Sequence, residues 1–185
     1  MANVILIHGL GGYPDQNWFP WLKAELEKLG VTVFAPEFPS SNRPSLDAWF
    51  SEFSRLRKHI DADTILVGHS LGCAFILNFL EVWNTPVKAV FLVAGFTGLI
   101  DDEEVNPLIK GFSDRSFEWE HIRHKSGIFY VVHSDNDPYV SLEKAMQLAL
   151  NLGVEVTLIR KAGHFNERSG YLKFPKLLAM VKKEL

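Results

Sequence analysis

Largely apolar runs recur along the chain at Val4–Ile7, Val31–Ala35, Thr64–Val67, Val87–Val93, Ile128–Val132 and Val154–Ile159, and they are rich in Val, Ile and Phe. Apart from Glu155 and Thr157 in the last, they show little apolar–polar alternation, so they predict strands buried on both faces. Between the runs, apolar residues return at helical spacing over Trp18–Leu29, Leu46–Ile60, Leu71–Trp83, about Ser116–His124, Ser141–Leu152 and Tyr171–Leu185. Strand and helix therefore alternate. This predicts an α/β fold with a six-stranded, mainly parallel sheet, helices on both faces and right-handed crossovers. Two connections are long. Pro36–Ser45 carries three prolines and ends in Pro44-Ser45-Leu46-Asp47, which reads as a rigid loop leading into a helix start. The stretch from Ala94 to about Arg115 holds the acidic quartet Asp101-Asp102-Glu103-Glu104 with Phe96 and Phe112. It is a candidate lid, and its acids read as a solvated loop or helix start and not a metal site, since no further ligand spacing accompanies them.

Composition narrows this to one soluble domain spanning 1–185: 47% of residues are hydrophobic and 22% charged. The net charge of −3, with both signs mixed along the chain, argues against nucleic acid or an acidic membrane surface as partner. The longest apolar run, Ala89–Ile100, is too short to span a bilayer and is broken by Gly95 and Gly98. The first residues lack the basic flank and cleavage site of a signal peptide, and Cys73 is the one cysteine, so a cytoplasmic protein without disulfides is expected.

The chemistry begins at Gly68-His69-Ser70-Leu71-Gly72, between the run Ile65-Leu66-Val67 and the helical stretch from Leu71. Gly-x-Ser-x-Gly at a strand-to-helix junction is a nucleophile elbow: the turn is so tight that side chains two residues on either side of the serine would collide. A serine hydroxyl needs a base. Of the seven histidines, His164 in Ala162-Gly163-His164-Phe165 follows the last strand at the sheet edge that carries Ser70. His133 is a rival at the end of the fifth strand. His8 and His69 read as loop-shaping residues, and His59, His121 and His124 as surface residues. The acid lies in Ser134-Asp135-Asn136-Asp137-Pro138, where either aspartate can serve, and the order Ser, Asp, His is that of hydrolases. In strand order 2-1-3-4-5-6 the loop His8-Gly9-Leu10-Gly11-Gly12 lies beside the elbow at the switch point of the sheet, so the backbone amides of Leu10 and Leu71 are the expected oxyanion donors. A phosphate-binding role for this loop fails, because its glycines do not follow Gly-x-Gly-x-x-Gly and no Walker-type lysine follows. No cofactor or metal is expected.

Through Trp18-Phe19-Pro20-Trp21-Leu22-Lys23-Ala24-Glu25-Leu26, Gly68-His69-Ser70, Phe117-Glu118-Trp119-Glu120, Ser134-Asp135-Asn136-Asp137-Pro138 and Gly163-His164-Phe165, nearly the whole chain resembles the α/β-hydrolase superfamily. More narrowly, it resembles the small serine hydrolases that include retinoblastoma-binding protein nine and the bacterial YdeN-like proteins. The resemblance implies a minimal hydrolase core without a large cap domain, a triad falling on Ser70, Asp137 and His164, and activity on small ester or amide substrates. Pro138 supports Asp137 by restricting the backbone after it, which leaves Asp135 to bond turn amides within Ser134-Asp135-Asn136. The Leu-x-Cys-x-Glu element associated with retinoblastoma-protein binding is absent, so that partner is not expected. The leading expectation is a carboxylesterase-like serine hydrolase preferring short acyl groups, because the 94–115 connection promises little apolar wall. The alternative is a binding protein on the same fold with an idle triad.

Overall fold

In the computed structural model, which describes residues 2–185, the apolar runs become six parallel strands in the order β2-β1-β3-β4-β5-β6. These are β1 (Asn3–Ile7), β2 (Thr32–Phe34), β3 (Thr64–His69), β4 (Val87–Val93), β5 (Ser126–Ser134) and β6 (Val156–Ile159). The helices are α1 (Phe19–Glu27), α2 (Leu46–Ser54), α3 (Leu71–Val82), α4 (Asn106–Ser113), α5 (Trp119–Arg123), α6 (Leu142–Leu152) and α7 (Pro175–Lys182). Among the described residues, no helix is long and apolar enough to cross a membrane.

Why the strands read as continuous apolar runs is visible in the cores they serve. Successive side chains of a strand point to opposite faces, and here both faces are covered. Ile5, Ile7, Leu66, Val90, Leu92 and Val131 enter one core with Trp49 of α2, Phe75 of α3, Ile109 of α4, Ile122 of α5 and Leu148 of α6. Their strand neighbours Val4, Leu6, Ile65, Val67, Phe91 and Val132 enter a second core with Leu22 of α1 and Leu177 of α7. Register aligns the carboxyl ends of the strands: Ile7 pairs with Gly68, His69 with Val93, and Ser134 with Ile159. The loops after β1, β3, β4, β5 and β6 therefore open at one edge of the sheet, as ligand-binding loops do in open parallel sheets.

Helix boundaries depart from the expectation where local chemistry intervenes. The N-terminus of α2 is as expected, with Ser45 Oγ accepting the Ala48 N–H at 3.4 Å. Its end is earlier than Ile60: Arg55 and Leu56 bond back only three residues, to Glu52 and Phe53, and a 3-10 turn at Arg57–His59 follows. The larger difference is α4, inside the stretch taken as a loop. Asp102 Oδ1 accepts the N–H groups of Glu104 and Val105 at 3.0 Å each, and Asn106 bonds both the N–H and the C=O of Ile100. The acidic quartet is thus a helix start. Val105, Ile109 and Phe112 then face α3 at helical spacing. Two polar side chains fasten α4: Asn78 of α3 donates to the Phe112 carbonyl at 2.8 Å, and Arg115 bonds Asn78 and pairs with Glu81 at 2.8 Å.

Candidate active site

Ser70 stands alone between β3 and α3, with φ 55° and ψ −122°. A non-glycine residue adopts such a conformation only when its surroundings hold it there. Here they do: its N–H donates to Val93 of β4 at 2.9 Å, and its carbonyl accepts the Cys73 N–H at 2.9 Å. A side chain at Gly72 would run into the carbonyls of Ile7 and His8, so the elbow can lie against β1 only with glycine there. Cys73 is buried behind the elbow, and burial pushes its thiol far above the usual range, which keeps it inert.

His164 lies in the loop after β6, and its Nδ1–H donates to Asp137 Oδ2 at 2.7 Å. Asp137 Oδ1 accepts the N–H groups of Tyr139 at 2.9 Å and Val140 at 3.1 Å. Burial alone would raise the carboxyl of Asp137. The hydrogen bond and charge of His164 and the two amides outweigh it, so the group is held below its ordinary value and stays ionised. An ionised Asp137 keeps the imidazole proton on Nδ1 and leaves Nε2 as the basic nitrogen. Ser70 and His164 line the same cavity, although no hydrogen bond joins their side chains among the described residues. A serine rotamer change on substrate binding closes such gaps.

The loop around Asp137 is stitched to the loop of His164 by the residues that precede the acid. Asp135 Oδ1 accepts the Lys161 N–H at 2.7 Å, Ser134 Oγ accepts the Ala162 N–H at 2.9 Å, and Asn136 Oδ1 accepts the Gly163 N–H at 2.8 Å. This corrects the expectation that Asp135 bonds amides of its own turn. β5 and β6 are neighbours in the sheet, so the nearest unpaired amides belong to the next loop. His69 adds a further tie, its Nε2–H donating to the His164 carbonyl at 2.8 Å. The rival His133 is fully buried and donates from Nε2 to the Val140 carbonyl at 3.0 Å. It braces the acid loop and is not among the cavity-lining residues.

The loop after β1 supplies the remaining polar groups. The Gly9 carbonyl accepts the Gly12 N–H at 3.1 Å and the His8 Nδ1–H at 3.0 Å, while His8 Nε2 accepts the Phe38 N–H at 3.0 Å. Because a trans peptide is planar, fixing the Gly9 carbonyl sends the Leu10 N–H the opposite way. Among the described residues, neither the Leu10 nor the Leu71 N–H has a protein acceptor. A Cβ on Gly9 would lie 2.8 Å from Ser70 Cβ, so this loop rests directly on the elbow. From the sequence, His8 reads only as a loop-shaping residue. Its bond to Phe38, 30 residues away, has no local signature.

These groups surround a cavity of about 460 Å³ lined by Leu10, Ser70, Leu71 and His164, together with Phe96, Val105 and, from α4, Ile109. Among the described residues, no group of three or more His, Cys, Asp or Glu side chains is placed to hold a metal ion. A hydroxyl on a strained turn, an imidazole oriented by a carboxylate and two unpaired amides are the groups that nucleophilic acyl transfer uses.

Burial of three histidines makes the fold acid-sensitive. Burial lowers His8, His133 and His69, the last to about 3, from the usual value near 6.5. The unfolded chain therefore takes up protons first. Stability should be full above about pH 6.5 and fall as pH decreases toward 3, by up to about 1.4 kcal/mol per pH unit for each histidine that remains neutral. Urea midpoints at pH 7, 6 and 5 measure this directly, and an unchanged midpoint would contradict it. Asp137 adds a loss of the same sign, but only below the ordinary carboxylate range.

Residues 4–183 match the family model described as Serine hydrolase. The protein YdeN of Bacillus subtilis (strain 168) is 29% identical over 174 residues, covering 93% of this chain and 90% of YdeN. Serine hydrolase RBBP9 of Rattus norvegicus is 26% identical over 187 residues, covering 100% of this chain and 96% of that protein. The crystal structure of the B. subtilis ydeN gene product matches with a TM-score of 0.94 at 27% identity, covering 100% of this chain and 98% of that one.

Proposed function

The chain belongs to the serine hydrolase family, and from that footing we propose that it is a carboxylic ester hydrolase acting on small substrates through an acyl-enzyme. Ser70 Oγ attacks the substrate carbonyl carbon while His164 Nε2 takes its proton. The resulting oxyanion is held by the N–H groups of Leu10 and Leu71. As the tetrahedral intermediate collapses, His164 returns the proton to the departing alcohol, and Ser70 remains acylated. Water then repeats the sequence with His164 as base, releasing the acid and restoring the serine hydroxyl. Asp137 stays ionised throughout, orienting the imidazole and stabilising the imidazolium. The same steps apply to an activated amide, with an amine as leaving group.

The observation that carries this reading is the 2.7 Å bond from His164 to the buried carboxylate of Asp137, in the cavity that Ser70 also lines. Incubation with a fluorophosphonate probe tests it, because the reagent phosphonylates only an activated serine. Peptide mass analysis should place the adduct on Ser70. Folded protein that takes no label would favour a binding protein with idle site residues.

A further inference from the structure

The cavity over Ser70 has two unlike walls, which arise from opposite faces of the sheet. One presents Leu71, Phe96, Ile100, Val105 and Ile109, with Asp102 between Ile100 and Val105, its Oδ1 already held by the Glu104 and Val105 N–H groups. The five apolar residues belong to the core beneath α2 to α6 or pack against it. This wall is preformed, since Asn78 and Arg115 fasten α4 to α3. It also corrects the expectation of a sparse apolar lining, which treated the 94–115 stretch as a loop.

The other wall consists of Gln16, Asn17, Asn166, Glu167 and Arg168, from the loops leading into α1 and α7. These two loops are joined, with the Glu167 N–H donating to Asn17 Oδ1 at 2.8 Å and Trp18 Nε1 to the Phe165 carbonyl at 3.0 Å. Asn166 Oδ1 is likewise committed, to the N–H and hydroxyl of Ser169. With both amide oxygens held by protein donors, the amide NH₂ groups of Asn17 and Asn166 are left as donors toward a ligand. Among the described residues, neither Glu167 nor Arg168 has an ion-pair partner. One carboxylate and one guanidinium side by side give this wall hydrogen-bonding capacity of both kinds without a net charge.

The proton decides which part of a substrate meets which wall. A leaving group must receive its proton from His164, and the chain runs from His164 directly into Asn166, Glu167 and Arg168. The leaving group then lies along the polar wall and the acyl group along the apolar one. Resting on the acyl-enzyme reading above, we infer that the substrates are esters joining an apolar acyl chain of several carbons to an uncharged polyhydroxylic alcohol. The polyol hydroxyls meet the amide, carboxylate and guanidinium groups, and the acyl methylenes displace water from the α4 side.

Glycerol monoesters and methyl esters of acetic, butyric and hexanoic acids test both halves. In either series kcat/KM should rise about fourfold per methylene, the equivalent of the transfer free energy of a buried CH₂ group. At each chain length the glycerol ester should exceed the methyl ester by about tenfold, an estimate for one or two hydrogen bonds. Val105→Trp should lower the hexanoyl-to-acetyl ratio at least tenfold, and Val105→Thr, which changes volume little, should lower it less. Gln16→Ala combined with Arg168→Ala should reduce the glycerol-to-methyl ratio without altering the chain-length series. A flat or falling series, ratios insensitive to these variants, or no glycerol preference would overturn the inference while turnover upheld the hydrolase. If no ester were cleaved and Ser70 took no fluorophosphonate, the hydrolase reading would fall, and this inference with it.

Discussion

Replacing Ser70 by alanine should lower kcat for any ester the protein cleaves by on the order of 10⁴-fold or more, with only residual catalysis from the oxyanion donors. In the proposed mechanism the hydroxyl is the one group of the site that forms a covalent bond, so no neighbour can substitute for it. The fold should be untouched. Alanine keeps the β-carbon, the φ of 55° is imposed by backbone bonds to Val93 and Cys73, and Ser70 Oγ makes no hydrogen bond among the described residues. The unfolding midpoint should therefore move by no more than a surface substitution would move it, about 0.5 kcal/mol. Ester hydrolysis and thermal unfolding of the same preparation separate the two effects. Near-full activity in this variant would end the proposed mechanism.

The second large effect concerns the acid. Asp137→Asn should reduce kcat about 10⁴-fold at neutral pH, the scale known for the corresponding change in a serine protease. The reason is the tautomer: an amide NH₂ facing Nδ1 holds the proton on Nε2, where the base should be. Asp135→Asn should cost far less activity, because Asp135 touches only the Lys161 N–H and an asparagine oxygen can still accept it. A loss of about 1 kcal/mol in stability, from weakening one charge-assisted bond, is the expected result. Assaying both variants with one ester decides between the acids. A severe loss for Asp135→Asn beside a mild one for Asp137→Asn would reverse their roles.

The two aspartates also show how far the candidate site was legible along the chain. Asp135 and Asp137 lie in one short polar loop, and composition alone left both open. Pro138 and the family resemblance favoured Asp137, and its side chain is the one that meets His164. The work of Asp135 was misjudged because its partner, Lys161, is 26 residues away and becomes a neighbour only when β5 and β6 pair. The helix α4 was missed for a different reason. Eight residues containing Pro107 and Gly111 have weak intrinsic helicity, and the packing of Ile109 and Phe112 on α3 supplies what propensity lacks. Asp102 and Asn106-Pro107, read as start signals, with Val105, Ile109 and Phe112 at helical spacing, would have revealed it.

By itself the sequence determined the features that rest on local sterics and strand periodicity. Runs with apolar residues at consecutive positions, as in β1, β3, β4 and β5, require a sheet covered on both faces, and Gly68-His69-Ser70-Leu71-Gly72 at a strand end leaves few conformations other than the elbow. Loops following parallel strands must open at the same edge, which brings Leu10, Ser70, the 134–138 loop and His164 together. Tertiary structure alone decided the finer placements: the partner of Asp135, the histidine that holds the Gly9 carbonyl, and the division of the cavity into an apolar and a polar wall. Each of these depends on distances between residues far apart in the chain. Such distances are set by side-chain packing in two separate cores, to which local periodicity is blind.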